Sequence, residues 1–182
     1  MTTKKAHTTP ALASADQWTV VPTPVGEMMV GGGEESLHFL HLPGSFDTRR
    51  LDPDRRGAPA AVTAAAEQLD AYFRGTLTRF DLPVDPAGTV FQRRVWWALA
   101  DIPYAATESY GSVAARVGSP RACRAVGLAN GRNPIPLVLP CHRVIGANGT
   151  LTGYGGGLTL KQRLLDHERR VAASGPGSRR AS

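Results

Sequence analysis

The sequence predicts an α/β protein in which an N-terminal small-sheet α/β domain is followed by a mainly helical C-terminal domain with a helix-turn-helix. Short apolar runs between Pro and Gly clusters dominate the first half of the 182 residues, and capped helical segments dominate the second. Residues 1–85 carry 8 Lys and Arg against 11 Asp and Glu, a net charge of −3, whereas residues 86–182 carry 13 against 4, a net charge of +9. The basic half indicates either a polyanion-binding module or a solvated basic face with a basic tail.

The first half divides into an arm and a domain. Residues 1–16 are polar, rich in Thr and Ala and without periodicity, so we expect a disordered arm. The domain at residues 17–85 begins with short strands, continues through an Arg-, Asp- and Pro-rich loop and ends with a helix that Gly75 terminates. The predicted strands are residues 18–21, 27–30 and 36–42, the loop is residues 48–59, and the helix is residues 61–74.

The helix-turn-helix is predicted from three capping signals. Ser109 caps a first helix that Gly118 ends, and Ser119 followed by Pro120 predicts the start of the second. Two short helices joined by a tight turn are typical of this motif, although any αα-corner has a similar pattern. The two predicted helices are residues 110–117 and residues 120–130.

The remaining elements complete a domain at residues 86–171. Capping-box pairs, Thr89 with Gln92 and Thr159 with Gln162, predict the starts of its first and last helices. The apolar run at residues 137–139 predicts a buried strand, and the last helix is expected to end near residue 170. Residues 172–182 are expected to form a disordered basic tail.

The composition excludes several classes of protein. No apolar run approaches the roughly 18 residues that a membrane span needs, and the N-terminus lacks the apolar segment of a secretory signal. Two cysteines do not make a disulfide framework. We therefore expect a reduced, cytoplasmic protein with no membrane partner, in which a hydrophobic content of 42% supplies one core or two small cores packed together.

Cys141 is the candidate reactive residue. It lies in the basic half of the chain and is followed directly by His142 and Arg143. Cysteine reacts as the thiolate, whose formation is favoured by a nearby cation or base. On an extended segment adjacent side chains point to opposite sides, so His142 need not touch the sulfur directly, and a bridging water could link them. From these residues alone, a buried, inert cysteine remains the alternative.

The string Pro140-Cys141-His142-Arg143-Val144 resembles the active-site signature of the O6-alkylguanine-DNA alkyltransferases, also called methylated-DNA–protein-cysteine methyltransferases. The resemblance covers residues 88–170 in order and spacing, and the N-terminal part only by length and general pattern. It is carried by Phe91-Gln92 through Trp96, Ile102-Pro103, Ser109-Tyr110-Gly111, Arg124 through Gly127, Asn133-Pro134, Gly153-Tyr154 and residues 164–168.

The resemblance implies a suicide repair protein that acts once and without a cofactor. Cys141 would take the alkyl group from O6-alkylguanine, and more weakly from O4-alkylthymine, in double-stranded DNA. His142 would accept the thiol proton through a water, and Glu168 would orient His142. Tyr110 would donate a proton or hydrogen bond near guanine N3, and Asn133 would tie the helix-turn-helix to the active-site segment.

The resemblance also implies base flipping, because the target atom lies inside the DNA stack. Arg124 would fill the space that the base leaves, while the small residues Ala125 and Gly127 would allow α-helical contact with the minor groove. The further DNA-contact candidates are Arg121, Arg132 and Arg143, and the substrate-pocket candidates are Val144, Tyr154, Gly155, Gly156 and Lys161. The protein would be a cytoplasmic, nucleoid-associated monomer, with cooperative binding along DNA left open.

Two positions depart from the family pattern, and the N-terminal part lacks the cysteines that some relatives use for zinc. Ala105 stands where a Gly is common, which would alter that turn without touching the chemistry. Gly155 stands where some members have Ser near the O6 atom, so a backbone N–H would have to serve there. Some relatives hold zinc in the N-terminal part, but residues 1–85 contain no Cys, and we predict no metal.

Three other functions compete with this interpretation. A lesion-flagging relative would bind alkylated DNA without transfer, but such relatives replace the cysteine, and Cys141 is present. A plain helix-turn-helix regulator would need sequence-specific binding and would tolerate Cys141→Ala. A Cys-His hydrolase would need an oxyanion hole, which no side-chain group of the signature supplies.

Overall fold

The computed structural model describes residues 16–175, so most of the predicted arm and tail lie outside the described residues. Strands β1 (Gln17–Val21), β2 (Met28–Gly32) and β3 (Leu37–His41) form an antiparallel sheet in that order. Helix α1 (Ala60–Arg74) ends at Gly75, whose φ of 74° is the left-handed conformation that glycine adopts without strain. The predicted small-sheet α/β arrangement of the first half is confirmed.

The second half is mainly helical, as predicted. Helix α2 (Val90–Ala100) opens with both hydrogen bonds of the Thr89–Gln92 capping box. The two-residue strands β4 (Glu108–Ser109) and β5 (Val144–Ile145) pair in parallel beside the helix-turn-helix. The helix-turn-helix consists of α3 (Tyr110–Arg116) and α4 (Cys123–Gly131), and the last helix is α5 (Leu158–Ser174).

The second helix of the motif begins later than its capping signal predicts. Helix α4 starts at Cys123, because the Ser119 backbone carbonyl accepts a hydrogen bond from the Ala122 N–H at 2.8 Å. This bond closes a β-turn instead of a helical turn. Ser at the first and Pro at the second position also favour a β-turn, so the same dipeptide fits both structures. Arg121 consequently lies in the turn and not on the helix.

The predicted strand at residues 137–139 is wrong. Leu137 has a φ of 76°, and the Leu139 N–H donates to the Ile135 carbonyl, so this segment is a tight turn. The Asn133 side chain holds the turn by accepting from the Ile135 N–H at 3.0 Å and donating to the Leu139 carbonyl at 2.6 Å. Prolines at positions 134, 136 and 140 lack the N–H groups that a strand ladder needs.

Helix α5 differs from the prediction at both ends. It starts at Leu158 after Gly157, with no side-chain cap, so the Thr159–Gln162 capping box does not form. Instead Gln162 donates to Asp166 at 2.8 Å. The helix continues to Ser174 through two alanines, so residues 172–174 are helical and not part of a tail.

One apolar core joins the two halves of the chain, including Val30, Leu40 and Tyr72 of the first half and Trp96 and Leu164 of the second. The Leu40 N–H on β3 also donates to the Pro134 carbonyl at 2.8 Å, so the sheet supports the turn that precedes Cys141. Within residues 16–175, the structure has no helix long and apolar enough to cross a membrane.

Candidate functional site

Cys141 begins a single 3₁₀ turn, Cys141–Arg143, at the base of the helix-turn-helix. Its N–H donates to the Leu139 carbonyl at 2.7 Å, and its carbonyl accepts from the Asn130 side chain at 3.3 Å. Because Asn133 binds the same Leu139 carbonyl, Asn130 and Asn133 tie α4 and the turn after it to the cysteine backbone. The side chain of Cys141 is buried, with the residue 4% exposed.

Burial raises the pKa of the Cys141 thiol to about 11, although Asn133 and the nearby Lys161 ammonium act in the opposite direction. At neutral pH the resting group is therefore the thiol and not the thiolate. A base must take its proton before the sulfur can react as a nucleophile.

His142 is placed to act as that base. Its side chain is fully buried, and Nε2 donates to Glu168 Oε1 at 2.8 Å, because a carboxylate can only accept. Nδ1 therefore carries the lone pair, and it has no hydrogen-bond partner within the described part of the chain. Burial lowers the pKa of His142 despite the Glu168 carboxylate, so the imidazole is neutral and able to accept a proton at pH 7.

Glu168, on α5, is the centre of a buried hydrogen-bond network. Besides His142, its carboxylate accepts from the Tyr72 hydroxyl at 2.9 Å, the Ala105 N–H at 2.9 Å and the Arg143 guanidinium. Burial alone would raise the pKa of Glu168, but the hydrogen bond from His142 and the hydrogen bonds and charge of Arg143 outweigh it and lower the pKa to about 2. The carboxylate remains ionised throughout the physiological range.

The structure corrects the assignment of Arg143 to the DNA-contact residues. Its side chain is 7% exposed, and the guanidinium donates to both oxygens of Glu168 and, at 2.7 Å, to the Ile102 carbonyl. A buried carboxylate needs a compensating charge, and Arg143 supplies it. The residue is therefore unavailable to a phosphate on the surface.

A concave surface of about 550 Å³ opens between α4 and the segment before α5. Four glycines in its lining leave room for a flat ligand. The lining includes five predicted site residues and four residues that the sequence did not predict to lie there. The lining consists of Tyr110, Cys123, Arg124, Gly127, Gly131, Thr152, Gly153, Tyr154 and Gly155.

Three predicted pocket residues lie behind the cavity instead of lining it. Val144 is fully buried in β5, and a Cβ at Gly156 would come within 2.4 Å of Leu160, so Gly156 faces the core. Lys161 is also fully buried, and its ammonium donates to the Val144 and Thr152 carbonyls. It lies 6.0 Å from the centre of the Tyr110 ring, so its charge lies beneath the cavity.

Charge interactions link the Cys141 sulfur to groups in and beneath the cavity wall. Burial raises the pKa of Tyr154 well above its usual value, and a charge on Cys141 raises it further. Tyr154 lines the cavity, and Lys161 interacts with both Cys141 and the Tyr110 ring.

The outer face of α4 and the turn before it form an exposed basic surface. Arg124 and Ala125 are exposed on the helix, Arg121 is exposed in the preceding turn, and Arg132 follows the helix end. Leu128, one turn after Arg124, is 64% exposed. Because Arg124 lies both on this surface and in the cavity lining, a polyanion bound along α4 would lie against the cavity.

Sequence reasoning missed Tyr72, which binds Glu168, and Asn130, which binds the Cys141 carbonyl, and it underestimated Ala105. Tyr72 is 96 residues from Glu168, and no local signal links the two positions. Asn130 was interpreted only as the end of a helix. Ala105 was expected not to touch the chemistry, yet its N–H holds Glu168, and its φ of 61° is the conformation that a Gly would adopt without strain.

Comparison with known proteins identifies both halves of the chain. Residues 17–86 match the model of the ribonuclease-like domain of 6-O-methylguanine DNA methyltransferase, and residues 90–170 match that of its DNA binding domain. A methylated-DNA–protein-cysteine methyltransferase of Mycolicibacterium paratuberculosis is 51% identical over 157 residues, covering 85% of this chain and 93% of the relative. One from Methanosarcina acetivorans is 44% identical over 151 residues, covering 83% and 97%.

Solved structures give the same result. The structure of Mycobacterium tuberculosis OGT in complex with DNA has a TM-score of 0.77 and 46% identity, covering 85% of this chain and 94% of the other. The structure of M. tuberculosis O6-methylguanine methyltransferase has a TM-score of 0.76 at 46% identity, with coverage of 85% and 93%.

Proposed function

This chain belongs to the 6-O-methylguanine DNA methyltransferase family, and we propose that Cys141 is the residue that receives the alkyl group. The protein binds DNA and repairs it by direct alkyl transfer to one of its own cysteines. The observation that carries the assignment is the buried Cys141 beside a neutral His142, which Glu168 holds in place at 2.8 Å. Cys123, the other cysteine, is exposed at the start of α4.

The reaction is a displacement at the alkyl carbon. The thiol proton passes through a bridging water to His142 Nδ1, and the sulfur attacks the carbon on guanine O6. The S–C bond forms as the C–O6 bond breaks, and the bonding electron pair remains on guanine. The guanine takes up one proton, so the proton lost by Cys141 is balanced, and no cofactor is required.

The departing guanine requires stabilisation, because it leaves with the electron pair. Tyr110, in the cavity lining, donates to N3 of the base. Lys161 lies beneath the Tyr110 ring and favours the Cys141 thiolate through its charge. Gly155 offers a backbone N–H toward O6, since its position in the lining carries no side chain.

The base reaches the cavity by rotation out of the duplex. The cavity of about 550 Å³ accommodates a single base, and Arg124 at its edge occupies the space left in the stack. Ala125 and Gly127 allow α4 to approach the minor groove closely, while Arg121 and Arg132 contact phosphates. Such contacts supply affinity without sequence preference, which suits a lesion that occurs in any sequence.

We also propose that the protein acts as a monomer in the cytoplasm. The residues named for the reaction all belong to one chain, so the proposed reaction requires no second copy. The net charge of +9 on residues 86–182 supports association with chromosomal DNA in the cytoplasm. O4-alkylthymine, which presents its alkyl group on a similar exocyclic oxygen, is the weaker substrate.

The test is a titration of protein against a duplex with one O6-methylguanine. Restored guanine should increase with added protein and stop at one per molecule, and Cys141→Ser should restore none while binding the same duplex with nearly unchanged affinity. Cys123→Ser is the matched control and should behave as wild type. Tight lesion binding without restored guanine in the wild type would instead indicate a protein that only marks lesions.

A further inference from the structure

Tyr72, on α1 in the first half of the chain, reaches the reaction centre in the second. Its hydroxyl donates to Glu168 Oε1 at 2.9 Å, and both side chains are almost completely excluded from solvent. The same oxygen accepts from His142 Nε2 at 2.8 Å and from Arg143 Nη2 at 2.9 Å. Tyr72 and His142 thus share one acceptor atom.

The Tyr72 ring is held in this position from several sides. It stacks on Phe80 with ring centres 5.4 Å apart and meets Phe73 edge-on at 5.1 Å. The Tyr72 carbonyl also accepts from the His167 ring at 2.9 Å, which fixes the C-terminal part of α1 against α5. The direction of the hydroxyl is therefore set by packing and not only by the bond to Glu168.

Burial and the Glu168 charge raise the pKa of Tyr72 well above its usual value, so its hydroxyl remains a donor. A donor on Oε1 draws charge from that oxygen and weakens its attraction for a protonated imidazole. Because the imidazole must accept the thiol proton and later release it, the strength of this attraction matters to the reaction.

We propose that Tyr72 is a positioning residue for alkyl transfer: its hydroxyl fixes Glu168 and sets how readily His142 accepts the thiol proton. The N-terminal part of the chain then contributes to the chemistry and is more than a scaffold. This inference rests on the proposed function of Cys141, and it adds a residue that acts through Glu168 without touching the substrate.

The experiment compares Tyr72→Phe with Tyr104→Phe. Both changes remove one buried hydroxyl, and the Tyr104 hydroxyl has no hydrogen-bond partner within residues 16–175. The single-turnover transfer rate is measured between pH 4.5 and pH 9 on an O6-methylguanine duplex, and the His142 imidazole is titrated by NMR. Tyr72→Phe should move both the rise of the rate with pH and the His142 titration upward by about one pH unit. Tyr104→Phe should coincide with wild type.

Coinciding pH profiles for wild type and Tyr72→Phe would overturn the inference. An equal fall in rate at every pH, with lower thermal stability and no shift, would also overturn it, because it would show a merely structural role. If Tyr72→Phe does not fold, 3-fluorotyrosine at position 72 is a stronger donor and should shift both curves downward; no shift would again contradict the inference. An inactive wild type would overturn the proposed function as well, whereas an active wild type with coinciding profiles would overturn this inference alone.

Discussion

Arg143 and Glu168 form a buried, doubly hydrogen-bonded ion pair, with Nε to Oε2 at 3.0 Å and Nη2 to Oε1 at 2.9 Å. The planar guanidinium matches the carboxylate in geometry and charge. Burial lowers the pKa of His142 and the charge of Arg143 lowers it further, so His142 stays neutral although it bonds to the same carboxylate. The ion pair therefore lets Glu168 hold His142 in place while the imidazole remains unprotonated.

Replacing Glu168 should cost both activity and stability. Glu168→Gln leaves the Arg143 guanidinium buried without its counter-charge, so we expect the free energy of unfolding to fall by about 3–5 kcal/mol. Transfer should also slow, because His142 loses the carboxylate that orients it. Urea denaturation and single-turnover rates measure the two effects. The control is Glu108→Gln, whose partner Arg116 is 36% exposed, and it should cost about 1 kcal/mol or less. Equal losses in the two variants would contradict the account.

The same carboxylate predicts how stability depends on pH. The pKa of Glu168 is about 2 in the folded protein against an ordinary 4.5, so the unfolded chain binds the proton more tightly. The stabilisation of roughly 3 kcal/mol is complete above pH 4.5 and is lost as the pH falls toward 2. Urea midpoints at pH 7, 5 and 3 should show this loss in wild type and much less of it in Glu168→Gln. If the urea midpoints of both proteins fell equally with pH, groups other than Glu168 would cause the acid sensitivity.

Arg124 should be required for binding and repair of duplex DNA but not for the reaction with a free alkylated base. Arg124→Ala removes the side chain that fills the stack, so we expect roughly tenfold or greater loss in duplex binding and repair. Attack on free O6-benzylguanine needs no base flipping and should be unchanged. Arg163→Ala, which removes an exposed cation from α5, is the control and should leave both reactions intact. If Arg124→Ala slowed the reaction with free O6-benzylguanine as much as the repair of duplex DNA, Arg124 would act within the pocket.

Ala105 is strained, and glycine should relieve the strain. Its φ of 61° costs an L-residue about 1 kcal/mol. A Gly at position 105 would keep the N–H that donates to Glu168. Because the greater entropy of Gly in the unfolded chain offsets part of this gain, we expect Ala105→Gly to raise the free energy of unfolding by roughly 0.5 kcal/mol. Ala64→Gly, in the interior of α1, should lower it by about 1 kcal/mol. Thermal denaturation measures both changes, and a loss of stability at position 105 would refute the argument.

Local signals in the sequence predicted most elements of the fold. The Thr89–Gln92 pair forms its capping box, Gly75 ends α1, and Ser109 caps α3, because each depends only on neighbouring residues. The start of α4 was not predictable in this way, since Ser119-Pro120 suits a β-turn as well as a helix. Leu137–Leu139 has the composition of a strand, but the Asn133 side chain decides its conformation.

The candidate site was predictable where its residues adjoin in sequence or match the family signature. Arg143 was misassigned because its role depends on Glu168, 25 residues away, and burial of a guanidinium leaves no local pattern. Tyr72 was missed for the same reason, over 96 residues. The Ala105 N–H is a backbone group, so only the fold reveals its part in the network.

The most direct test is mass spectrometry of the intact protein and its peptides after incubation with a duplex carrying one O6-methylguanine. The account predicts a mass increase of a single methylene on the peptide that contains Cys141, saturating at one per protein, with the peptide that contains Cys123 unchanged. No adduct on Cys141, or an adduct on Cys123 in its place, would contradict the assignment of the acceptor.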